Sequence, residues 1–94
     1  MNNDPQVLID QIKSEWDFIC KPLREANRQY VKDLKNLVLK YASDPNTFEK
    51  DYEYTWQCMR EAYSDFKAKE LLEDVDVLED MLRGRIDAVE YSDD

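Results

Sequence analysis

Six carboxylates crowd one short stretch of the chain. Glu70, Glu73, Asp74, Asp76, Glu79 and Asp80 all fall within Glu70–Asp80, which contains no Lys or Arg. Three kinds of chemistry use such a group: paired general acid and base, ligation of a hard cation, or display of negative charge to a cationic partner. Acid–base work needs a pocket that drives two pKa values apart, and nothing in the sequence supplies one. Asp74-Val75-Asp76 begins like a calcium loop, but its sixth position is Glu79 rather than glycine and its twelfth is Arg85 rather than glutamate. Charge display is the reading left, either to a basic partner or simply to water as a solvated helix face that keeps the chain soluble. Crowded like charges repel, and an approaching basic surface relieves that repulsion.

Other reactive types are scarce. Histidine is absent, which removes imidazole bases, nucleophile–histidine dyads and histidine-ligated metals. The one glycine, Gly84, cannot form a phosphate-cradling loop. The two cysteines, Cys20 and Cys58, are too few for a disulfide scaffold or a tetrahedral metal site and are expected to be free, buried or half-buried thiols. No enzyme, metal or cofactor is expected. Among eleven aromatic residues, Trp16 and Trp56 are expected in the core, with Tyr52 and Tyr63 at its wet edge. Tyr54 lies off the apolar stripe among acidic neighbours, a placement suited to contacting arginine-rich surfaces. Phe18 also stands off its stripe and is expected to mark a second packing face.

The elements that carry these residues read as helices. Asp4-Pro5 is a helix-opening pair: the aspartate accepts from free backbone N–H groups, and proline has no N–H to leave unpaired. Apolar positions then recur at Ile9, Ile12, Trp16, Ile19, Leu23, Ala26, Tyr30, Leu34, Leu37 and Tyr41, in steps of three and four. The phase survives Pro22, so one long helix over about 5–42 is expected, kinked near Cys20-Lys21. Glu25 with Arg28 and Lys21 with Glu25 would form ion pairs along it.

Asp44-Pro45 repeats the opening signal, and a second helix over about 45–68 should run back beside the first. Its stripe is Phe48, Tyr52, Trp56, Met59, Tyr63 and Phe66. The following set, Leu71, Val75, Leu78, Leu82 and Val89 with Leu72 and Ile86 beside it, is rotated by roughly 120–140°. Either the helix continues and switches faces, meeting a second molecule there, or a third helix over about 70–90 folds back over the first two. Gly84 would loosen that last helix.

The fold class expected is all-α: an antiparallel helical hairpin or bundle of two to four helices in a single domain over residues 1–94, with a homodimer interface. No apolar run approaches a membrane span, and the first residues lack the regions of a secretory signal, so a cytoplasmic setting is expected. Charge is uneven. Residues 1–43 carry a net of +1 and residues 44–94 a net of −10, within a whole-chain charge of −9. Direct nucleic-acid binding is disfavoured, since such a chain repels phosphate.

The functional expectation is a non-catalytic protein-interaction module, an adaptor or inhibitor, that docks on a basic protein surface. Glu70, Glu73, Asp74, Asp76, Glu79, Asp80 and Tyr54 are its candidate contact residues. Two alternatives stand beside it. One is a nucleic-acid mimic that inhibits a nuclease or a DNA- or RNA-binding protein, as a phage anti-defence protein would. The other is a structural or assembly subunit or chaperone of a larger complex.

Overall fold

A computed structural model of the chain describes residues 4–19, 28–62 and 73–91. They form four α-helices: α1 (Pro5–Phe18), α2 (Arg28–Tyr41), α3 (Phe48–Ala62) and α4 (Asp74–Glu90). No strand occurs among the described residues, in keeping with the all-α expectation. None of these helices is long and apolar enough to cross a membrane.

Both Asp-Pro signals open helices as their chemistry dictates. The Asp4 carboxylate accepts from the backbone N–H of Gln6 at 2.9 Å, and Pro5 begins α1. The Asp44 carboxylate accepts from the N–H of Asn46 at 3.0 Å, and a 3₁₀ turn, Pro45–Thr47, leads into α3. Charge follows the helix dipoles. Glu49 and Asp51 stand in the first turn of α3, and Asp74 and Asp76 in that of α4; Lys40 and Arg60 stand in the last turns of α2 and α3.

The first 42 residues do not form one long helix. In a continuous helix Glu15 and Lys40 would lie about 37 Å apart, at 1.5 Å per residue. Instead the Lys40 ammonium is 2.8 Å from the Glu15 carboxylate, and the Trp16 indole N–H donates to the Tyr30 hydroxyl at 3.0 Å. α1 and α2 therefore lie side by side. The expected kink at Pro22 and the pairs involving Glu25 fall outside the described residues. Of the two courses left open after the second helix, the structure takes the one with a separate last helix. Tyr52 donates to Asp74, 22 positions later, at 2.7 Å, and Glu73 is extended. α3 and α4 are separate helices packed together, and the last helix folds back over the first two.

α4 is the hub. It packs against α1, α2 and α3. Its buried arc comprises Val75, Val77, Leu78, Glu79, Leu82, Ile86 and Val89, wider than the stripe read from the sequence because neighbours cover it on several sides. The core adds Ile9, Ile12 and Trp16 from α1, Tyr30, Leu34, Leu37 and Val38 from α2, and Phe48 from α3. α3 does not lie along α2 as expected. It meets α2 at its Phe48 end, where the Lys35 ammonium lies 5.9 Å above the Phe48 ring. Beyond Phe48, α3 buries no side chain completely, and Trp56, expected in the core, is half-buried.

Candidate functional site

The acidic stretch divides into three environments once α4 is docked. Glu73 and Asp80 are exposed. Asp74 is exposed and accepts from the Tyr52 hydroxyl. Asp76 is half-buried. Glu70 lies outside the described residues. Glu79 departs from the expectation of a solvated ridge: it is 4% exposed. The Tyr30 hydroxyl donates to its Oε2 at 2.7 Å, and the Arg83 guanidinium lies 3.4 Å from its Oε1. Trp16, Tyr30 and Glu79 thus form a hydrogen-bonded chain through the core, tying α1, α2 and α4 together. The Arg83 guanidinium closes one end, 5.7 Å above the Trp16 ring. Glu79 belongs to this buried chain and not to a solvated ridge.

α3 contributes carboxylates that sequence reasoning did not single out. Tyr52 stacks near Phe48, with ring centroids 6.0 Å apart, and is half-buried against α4. Its phenol is driven above the ordinary value of 10.0 by burial first, then by the hydrogen bond to Asp74 and the charges of Asp74 and Glu49. A phenolate there would lose hydration and face two carboxylates. Further along, Asp51 of α3 and Asp80 of α4 line one groove. Carboxylates of two helices therefore line the α3–α4 seam at two places: Glu49 and Asp74 around Tyr52, and Asp51 with Asp80 along the groove, which also holds Arg85.

Tyr54 takes no part in this convergence. It is 71% exposed and follows Tyr52 by two residues, about 200° around the helix, so it points away from α4. The Cys58 thiol, one turn on, holds the Tyr54 phenol above its ordinary value through their hydrogen bond. Cys58 is a free, exposed thiol rather than a buried one, and Cys20 lies outside the described residues. Phe18 is 84% exposed, near the end of α1.

A second polar cluster joins α1 to the end of α2. Glu15 accepts from both Lys40 and the Tyr41 hydroxyl. The Lys40 hydrogen bond, then that of Tyr41, holds the Glu15 carboxyl below its ordinary 4.5 despite some desolvation. Burial first, then the hydrogen bond to Glu15 and its charge, pushes Tyr41 up to about 12.

Among the described residues, no group of three or more Cys, Asp or Glu is placed to hold a metal ion. The arrangement offers charge, shape and hydrogen-bond acceptors on a helical platform. Compared with known protein families, with curated proteins and with solved structures, the chain matches none.

Proposed function

We propose that this protein is a non-catalytic interaction module that binds a basic protein surface through the face shared by α3 and α4. The carrying observation is the convergence of carboxylates from two helices around Tyr52, with Asp74 on its hydroxyl and Glu49 in its field. Within one helix, acidic residues in the first turn are accounted for by the dipole alone. Across two helices they oppose packing, because like charges approach one another in the folded state. A cationic partner turns that cost into attraction, steering encounter at long range and fixing orientation on contact.

The test is affinity capture with the full chain against a Glu49→Gln, Glu73→Gln, Asp74→Asn, Asp80→Asn variant, followed by mass spectrometry. Basic proteins should be held by the parent chain, released by rising salt and lost by the variant. Capture of the same proteins by both would overturn the reading. Duplex DNA added as a competitor identifies whether the occupied surface is a nucleic-acid groove.

A further inference from the structure

The acidic face contains a groove of about 300 Å³ between the end of α2, the first half of α3 and the middle of α4. Its apolar walls include Val38, Met81 and Ala88, and small residues keep it open at Ala42 and Gly84. A Cβ built at Gly84 would meet nothing within 4 Å, so this space is free to the backbone of α4. Two exposed carboxylates line the groove from different helices. Asp51 accepts from the Thr47 hydroxyl at 3.2 Å, a neutral donor. Among the described residues, Asp80 has neither a hydrogen-bond partner nor an ion-pair partner. The groove holds one cation of its own, Arg85, whose Nε donates to the Tyr41 carbonyl at 2.7 Å at the C-terminus of α2; two carboxylates against one guanidinium leave the groove a net of −1.

We propose that this groove receives one lysine or arginine side chain of the basic protein partner. Its aliphatic stem lies along Val38, Met81 and Ala88, and its charged head sits between Asp51 and Asp80. Long cationic side chains combine these two parts, burying the stem while the head stays hydrated or paired. A wholly apolar side chain would leave both carboxylates unmatched. A bare metal ion would lack the six or more oxygen ligands that a hard cation takes. Arg85 makes a related contact within the chain, its guanidinium donating to a backbone carbonyl of another helix. The inference rests on the docking reading above and locates its central contact.

Gly84 supplies a test that spares the fold. Gly84→Leu should fill the groove from within, whereas Gly84→Ala leaves it open. The isotopically labelled full chain would be titrated at low salt with an acetylated, amidated, alanine-rich helical peptide carrying lysine along one face. Its counterpart would carry norleucine at those positions, keeping the stem and removing the charge. The lysine peptide should shift the amide signals of Asp51, Asp80 and Gly84. Gly84→Leu, and separately Asp51→Asn with Asp80→Asn, should weaken binding by about tenfold or more, and Gly84→Ala should not. Circular dichroism confirms that each variant is folded.

If Gly84→Leu binds like the parent and the shifts centre on Glu73 and Asp74, the groove is not the contact, while the docking reading stands. Equal binding of the norleucine peptide would overturn the role of charge. Failure of the lysine peptide to bind at all would remove both. Light scattering on the same samples covers the remaining occupant: a parent dimer that Gly84→Leu turns into a monomer would assign the groove to a second copy and overturn the proposal.

Discussion

Single side chains in this protein act through what they are paired with. Glu79 sits in the core because Tyr30 and Arg83 satisfy it, and truncating a partner exposes the cost. Tyr30→Phe removes both the donor to Glu79 and the acceptor for the Trp16 indole. It should lower stability by about 1–3 kcal/mol in urea unfolding, the range for buried polar groups left unmatched. Glu15 and Tyr41 make stability depend on pH in opposite directions. The folded Glu15 pKa is depressed, so its contribution is present above the unfolded value of 4.5 and fades as pH falls through the lower folded value. The folded Tyr41 pKa is raised, so its contribution is present below 10.0 and is lost as pH rises toward about 12. Glu15→Gln should flatten the acid limb of a plot of melting temperature against pH. In an ultraviolet titration, Tyr41 and Tyr52 should ionise later than ordinary tyrosines, and Tyr41→Phe should remove one late-titrating phenol.

At the scale of elements, the helix starts are chemically fixed and α4 is a compromise. Asp4 and Asp44 each satisfy a backbone N–H that the first turn leaves free. Replacing either with alanine should cost about 1 kcal/mol in thermal or urea unfolding. Gly84 lies exposed in the middle of α4, where its side-chain position is open. Gly84→Ala should therefore stabilise by up to about 1 kcal/mol, read as a higher melting temperature. The same absence of a side chain leaves the groove between Asp51 and Asp80 open, so the stabilised variant should keep peptide binding and the leucine variant should lose it.

For the whole molecule, the excess of negative charge on α3 and α4 opposes the packing of the free protein. Salt screens repulsion over about 8–10 Å near physiological ionic strength. The melting temperature of the free protein should rise as sodium chloride increases from low to moderate concentration. It should rise less in the variant neutralised at Glu49, Glu73, Asp74 and Asp80. Complex formation should show the opposite trend, with affinity falling over the same range, because the screened interaction is then attractive. Differential scanning calorimetry and titration calorimetry in matched buffers would show both slopes.

The local features were readable in the sequence. Period and capping gave the helical class, both helix starts and the buried positions Ile9, Ile12, Trp16, Tyr30, Leu34, Leu37, Val75, Leu78, Leu82, Ile86 and Val89. Glu79 carried a readable signal as well, since it falls four residues after Val75 and three before Leu82, on the buried stripe itself. What period cannot show is where a helix ends when the next one keeps its phase. The stripes of α1 and α2 both bury against α4, a contact that no local pattern records. The pairing of Glu15 with Lys40, the approach of Asp51 to Asp80 and the burial of Glu79 depend on packing among distant segments. Local backbone physics chose the helices, and the burial of their apolar faces against α4 decided which charges were left together in water.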